Sequence, residues 1–449
     1  MNGWGRSGAV ATALGFALAL GMATPAWSAE GEGSMHDLIV VLKERGVIDE
    51  SDYESIAARN AAYEAKQAED RKPALSFWGD FRGRYEAFVY DRDETGVERT
   101  NRHRARYRFR LNGKADINPR AKVFFRVASG GDDARSTNQT LGSGLDFDTD
   151  DLRLDLAYAR ISPFVNDKVG ENGKLAFEIG KVPNPYTWKK GKDFMLWDGD
   201  LTFEGASIRS GYRVNEALEL FASGGYYILD ENSTAKDPHL WAIQTGFHAE
   251  PTDGVAFGGR TSYFHFDSLD RAFHLRGEDG TAAPSGSGGN LRDGLSGGVG
   301  GQNVKVVEAT GYVGLLTETD WPVLIYGTWA NNLTAEQSSL FPNADQADTA
   351  WGAGVELGDK KKFVKVGVGY WHIEANSFPS QFIDSDLFDG RTNREGWAVY
   401  GSRSILRNTD LNLTFFFSDE IEDAVPPYGD SVPNADRMRV QADVVFKFK

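Results

Sequence analysis

The chain has 449 residues, of which 41% are hydrophobic and 12% aromatic, with 51 glycines, no cysteine and a net charge of −16. The missing thiol excludes a disulfide framework, Cys-ligated zinc, iron–sulfur clusters and a thiol nucleophile, and the acidic balance disfavours a general nucleic-acid binder. No stretch of about 18 apolar residues follows the first turns of chain, so no spanning helix is expected there, and the aromatic and glycine content favours many short strands.

Residues 1–28 read as a secretory signal peptide. Arg6 supplies the basic region, an apolar run extends from Ala9 to Ala23, and Pro25 ends it. Ala26-Trp27-Ser28 then places small residues at a cleavage site. Export and removal of this leader are expected.

Residues 29–74 are predicted to form a short α-helical periplasmic segment. Leu38, Val41 and Leu42 make one apolar stripe and Gly46 stops that helix. Ser51-x-x-Glu54 has the spacing of a capping box for a second helix. Ile56 and Tyr63 stand seven apart, which allows a coiled coil. Two such helices bury no core of their own, so they pair with other chains, lie against a surface such as peptidoglycan, or act as a spacer.

From Leu75 onward the hydrophobic period changes to 2. Phe77, Phe81, Tyr85 and Val89 alternate with Asp80, Arg82, Arg84 and Glu86. Tyr107, Phe109 and Leu111 alternate with Arg104, Arg106, Arg108 and Arg110. Leu152, Leu154, Leu156 and Tyr158 read as one face of a later run. Met438, Val440, Ala442 and Val444 oppose Arg437, Arg439, Gln441 and Asp443 at the end. About sixteen such runs fill residues 75–449, and their connections alternate between short and long. Short turns at one end and long loops at the other fit an outer-membrane barrel. In hydrocarbon every backbone polar group must pair, so strands must close on themselves with the apolar face outward. The expectation is therefore an all-β transmembrane barrel of about 16 antiparallel strands. Tyr90, Trp241, Tyr263, Trp321, Trp329, Tyr370 and Trp397 fall near run ends, where interfacial aromatic girdles belong.

This layout resembles the putative porin family of Gram-negative bacteria. The likeness is carried by Gly180-Lys181-x-x-Asn184-Pro185, then Leu196-Trp197-Asp198-Gly199-Asp200-Leu201 and Glu204-Gly205. It extends over roughly residues 35–449. Outer-membrane barrels usually end on an aromatic residue, whereas here Phe448 is followed by Lys449. The resemblance implies an outer-membrane diffusion pore for small hydrophilic solutes and names no particular solute.

The third long loop, residues 182–203, is expected to fold inward and narrow the pore. Its Asp193, Asp198 and Asp200, with Glu204 beyond it, would face a wall of Arg82, Arg84, Arg104, Arg106, Arg108, Arg110 and Arg126. Asp80, Glu86, Asp151 and Asp155 are candidate compensating acids. A basic wall against an acidic loop makes a transverse field that sorts solutes by charge; the alternative is a mutually neutralised, wet wall with no selectivity role. Outer-loop acids read first as solvated loop residues; the alternatives are that they bind divalent cations bridging lipopolysaccharide or draw cations to the mouth. Packing through the apolar outer wall predicts a homotrimer. No zinc, nucleotide or cofactor pattern is present; the seven histidines include no His-Glu-x-x-His, and no Gly-x-Ser-x-Gly occurs. The competing readings are an adhesion or surface-anchoring barrel and a barrel hydrolase with residues distant in sequence.

Overall fold

The computed structural model describes residues 35–70, 74–90, 101–131, 133–143, 149–170, 172–187, 197–233, 236–269, 289–290, 303–337, 346–422 and 437–449. The chain divides into two units between Lys72 and Pro73.

The first unit holds α1 (Met35–Glu44) and α2 (Glu50–Asp70). Gly46, at φ +67°, ends α1, and the Val47 N–H reaches back to the Leu42 carbonyl at 2.9 Å, a Schellman closure. The sequence placed the cap of α2 at Ser51. The cap is instead Asp49, whose carboxylate accepts the Asp52 N–H at 2.8 Å. An Asp two residues earlier satisfies the same orphan donors and begins the helix sooner. Lys43 and Glu50 pair across the turn at 2.7 Å.

The second unit is a closed antiparallel barrel of sixteen long strands. These are β1 (Ala74–Tyr90), β2 (Arg102–Asn118), β3 (Ala121–Ser129), β4 (Leu152–Ile161), β5 (Gly173–Pro183), β6 (Thr202–Asn215), β7 (Leu218–Ile228) and β8 (His239–Thr252). They continue as β9 (Val255–Asp267), β10 (Asn303–Leu315), β11 (Val323–Asn332), β12 (Thr349–Leu357), β13 (Lys365–Ile373), β14 (Arg394–Leu406), β15 (Thr409–Glu420) and β16 (Arg437–Phe448). Each strand pairs with its sequence neighbour, and β1 pairs with β16 from Gly79↔Phe448 to Tyr90↔Arg437. Two-residue pieces, Gln139–Thr140 and Lys168–Val169, add to the ladders of β2 and β5.

Connections at one end are tight. Pro119-Arg120, Glu216-Ala217, Asp253-Gly254 and Arg407-Asn408 each join two strands directly. The other end carries the connections 91–101, 130–151, 184–201, 229–238, 268–302, 333–348, 374–393 and 421–436. Outward positions are apolar and exposed, among them Phe77, Ile179, Ile243, Ile325, Val368 and Leu413. Trp329, Trp351, Tyr370 and Trp397 lie side by side across β11–β14, with Tyr370 and Trp397 rings 5.0 Å apart. Trp321 meets Phe363 at the tight-turn end, 5.8 Å between centroids. The side chain of Tyr90 lies outside the described residues.

Two features depart from the simple alternation. The face read as Leu152, Leu154, Leu156 and Tyr158 is broken by a bulge, where Arg126 pairs with Leu156 and Val127 with Leu154. Leu152 and Leu154 are 63% and 59% exposed, while Leu156 and Tyr158 are 7% and 8% exposed. One extra residue in a strand flips the phase beyond it, so Tyr158 joins the inside and stacks on Phe124 at 4.8 Å. Moreover, the inner face is not polar throughout. Tyr227, Leu240, Phe264, Phe266, Val304, Val306, Trp371 and Ile373 are buried there near the long-loop end. Inward-folded loops cover them, as described next.

Candidate functional site

The basic wall forms where β1, β2 and β16 lie side by side. Period 2 puts Arg82 and Arg84 of β1 and Arg104, Arg106, Arg108 and Arg110 of β2 on the inner face. Register sets Arg84 opposite Arg106 on one side and Asp443 on the other. Barrel closure adds Arg437 and Arg439 from β16.

Carboxylates interleave with these guanidinium groups. Asp80 accepts from Arg108 at 2.7 Å and Arg110 at 2.9 Å. Asp443 accepts Arg84 in a two-pronged pair at 2.6 and 2.9 Å. Glu86, fully buried, accepts from Arg104 and from Arg439, the latter at 2.6 Å. Charge-assisted bonds of this kind contribute roughly 1.5–3 kcal/mol each, and removing one member strands the charge of the other.

The loop connections supply three further carboxylates. Asp200 lies 3.3 Å from Arg110 and accepts both the N–H and the hydroxyl of Thr137, at 3.2 and 2.9 Å. Asp386 receives Arg84 Nη1 on both oxygens, at 2.8 and 2.9 Å. Its Oδ1 also accepts Arg439 at 3.0 Å and Gln441 Nε2 at 2.8 Å. Asp389 lies 3.3 Å from both Arg437 and Arg439. Burial works against ionisation of Asp200 and Asp386, but the guanidinium groups outweigh it. Arg110, Arg108 and Arg82 hold the Asp200 carboxyl below the usual range, and Arg84, Arg439 and Arg82 do so for Asp386. Asp198 behaves oppositely. Burial, and then the neighbouring Asp384 and Asp200, push its carboxyl well above the ordinary value.

Residues 374–393 are the segment that meets the wall most fully. Asn290 clamps it: its amide donates to the Ala375 and Phe378 carbonyls at 2.7 and 2.8 Å and accepts the Ser380 N–H at 2.7 Å. Arg135 donates to the Ser380 and Gly390 carbonyls, both at 3.1 Å. Phe378, Ile383, Leu387 and Phe388 bury their side chains against the apolar inner patch. Trp197 packs at the centre, 5.0 Å from Phe264, 5.2 Å from Phe378 and 5.6 Å from Phe382. Asn184 makes the turn that delivers Tyr186 into the same cluster, accepting the Tyr186 N–H at 2.8 Å. A cavity of about 720 Å³ lies beside this packing, lined by Arg135, Lys181, Phe203, Glu231, Phe382 and Arg391 among others.

Of the candidates read from sequence, Arg82, Arg84, Arg104, Arg106, Arg108 and Arg110 stand together with Asp200. Arg126 is on β3, bonded to Asp155. Asp198 faces the 374–393 segment, where its carboxylate accepts the Ser385 N–H. Glu204 falls on the outward phase of β6 and pairs with Lys181 at 2.6 Å; as the immediate neighbour of inward-facing Phe203 it lies on the outer side of the wall. Asp193 lies outside the described residues. Asp151 is exposed. Sequence reasoning missed Asp386, Asp389, Asp443, Arg437 and Arg439 as site residues. The alternation at 437–443 carried a signal for the last three.

A family model described as Putative porin matches residues 96–275 and 305–439. No curated protein matches the sequence. Among solved structures, OprB of Pseudomonas putida is 10% identical, with 83% of this chain and 94% of that one covered and a TM-score of 0.47. OmpF of Salmonella typhi is 12% identical over 83% and 97% of the two chains, TM-score 0.47. The outer membrane channel DcaP of Acinetobacter baumannii is 11% identical over 84% and 97%, TM-score 0.45. The family match spans most of the barrel strands and the loops that meet the basic wall, and by it this chain belongs to the putative porin family of outer-membrane β-barrel channels.

Proposed function

We propose that this channel passes small hydrophilic solutes by diffusion along the basic wall, and that the loops folded inside the barrel constrict it there. The supporting observation is the meeting of loop carboxylates Asp200 and Asp386 with arginines Arg110, Arg84 and Arg439 on the inner face. Paired charges lining an aqueous path beside them set a local field that sorts ions by sign and polar solutes by dipole. No catalytic constellation enters this reading. Export by a cleaved leader at 1–28, contact of the outer rim with lipopolysaccharide, and a homotrimer complete it. The test is planar-bilayer recording with the purified full chain. Stepwise conductance in wild type supports the channel; a barrel that inserts and never conducts favours the surface-anchoring alternative.

A further inference from the structure

The inner wall already holds a ligand of recognisable chemistry. Arg84 Nη1, Arg439 Nη2 and Gln441 Nε2 converge on a single carboxylate, that of Asp386. Asp386 belongs to a loop and the three donors belong to β1 and β16, so the donors are fixed by the sheet and the carboxylate is brought to them. The donors are themselves held in place: Arg84 by Asp443, and Arg439 and Gln441 by Glu86 at 2.6 and 3.1 Å. Oδ1 takes all three donors and Oδ2 shares Arg84 Nη1 at 2.9 Å, so two guanidinium groups and an amide gather charge-assisted bonds on one carboxylate.

The loop that carries the guest is held under backbone strain. Phe388, Asp389 and Gly390 all have positive φ, at +49°, +62° and +70°. Two consecutive non-glycine residues there occupy a sparsely populated region of backbone space. Contacts that the guest makes offset this strain, so the loop loses part of its hold when the carboxylate is displaced. Arg82 and Arg106 stand next to the site, and each has a buried Nε without a hydrogen-bond partner among the described residues. Their nearest carboxylates, Asp443 and Glu86, are 3.7 Å away. The surroundings therefore favour a second anion.

We infer that Arg84, Arg439 and Gln441 form a carboxylate-binding site in the lumen, that Asp386 occupies it as a built-in ligand, and that a carboxylate-bearing solute competes for it. The inference rests on the channel reading for its physiological sense and on the donor geometry for its chemistry. Binding exchanges one carboxylate for another, so no proton or covalent bond is transferred.

The test uses the full chain purified in detergent, with succinate as probe and uncharged succinamide as control. Titration calorimetry is expected to show succinate binding at least tenfold tighter to Asp386→Ala than to wild type. Adding Arg439→Gln to that variant should abolish binding, and succinamide should not bind. Heat-modifiable migration on a gel verifies that each variant is a folded barrel, and Asp386→Glu should restore the weak binding of wild type. Equal succinate affinity in wild type and Asp386→Ala overturns the inference, as does inorganic phosphate binding the variant as tightly as succinate. Bilayer recording of the same samples separates the two readings. Conductance without succinate binding rejects the site and leaves the channel. Binding without conductance rejects the channel and leaves the site.

Discussion

The carboxylate of Asp198 accepts the backbone N–H of Ser385 at 2.7 Å, across 187 residues of sequence. The bond is answered by the Asp198 N–H, which donates to the Phe382 carbonyl at 2.8 Å. Two loops from different strand pairs are thereby tied into one inward body. The third long loop contributes the Trp197 anchor, and the 374–393 loop contributes most of the contact with the arginines.

That tie is expected to loosen in alkali. Burial, Asp384 and Asp200 raise the Asp198 carboxyl, so its neutral form belongs to the seated loop. A raised acid contributes its full share below about pH 4, the ordinary value, and loses it as pH rises through the higher folded value. Single-channel conductance of wild type should therefore rise with pH. Asp384→Asn keeps the acceptor for the Asp386 N–H and removes a neighbouring charge. It should make that rise smaller and complete it at lower pH. A conductance flat from pH 4 to pH 9, chosen to bracket the ordinary value, counts against the tie as a determinant of the opening.

Asp200→Asn should shift selectivity toward anions. It removes the carboxylate facing Arg110 while keeping an acceptor for Thr137. Reversal potential in a salt gradient reads the change. Glu204→Gln, on the outward face, should change it far less, because water and ions inside are shielded from that side of the sheet. Equal shifts in both variants would contradict the placement of the ion path.

Gly180 should tolerate no side chain. It sits at φ +120°, and a Cβ there would lie 2.4 Å from the Ala157 carbonyl oxygen. Gly180→Ala is expected to destabilise the barrel by about 1–3 kcal/mol, read as a lower urea midpoint for loss of heat-modifiable migration. An unchanged midpoint means that β4 and β5 move apart freely.

Topology is checked by labelling. A cysteine at Glu231, in a long connection, should react with a membrane-impermeant maleimide in intact cells, and one at Asp253, in a tight turn, should not. Reaction at Asp253 alone inverts the barrel.

Native mass measurement should give a trimer for the full chain. A monomer both with and without residues 29–73 removes the trimer from the proposal.

The barrel was readable because lipid imposes one rule on every strand: Phe81 and Tyr107 point out, Arg82 and Arg108 point in. The bulge near Asp155 was not, since a phase flip leaves Leu154 and Leu156 looking like one face. The six arginines of β1 and β2 were readable because a hairpin makes them neighbours. Arg439 and Asp443 reach the same place only through closure, which local pattern does not encode. The 374–393 loop was overlooked because its acids look like those of a solvated loop. Its Phe378, Phe382, Ile383, Leu387 and Phe388 were the contrary sign, since a loop in water gains nothing from so much apolar surface.

The pairing of Arg84 with Asp443 has a consequence for biogenesis. Arg84 enters the growing sheet with the first strand, while its bidentate partner arrives with the last. Until the seam zips, Arg84 lacks that two-pronged partner, and a guanidinium short of partners favours water or a chaperone over lipid. Charge neutralisation at the seam is thus expected to couple release into the bilayer to the arrival of residues 437–449. Replacing Asp443 with Ala should accordingly prolong association with the assembly machinery in pulse-chase crosslinking, and release at the wild-type rate would dismiss the coupling.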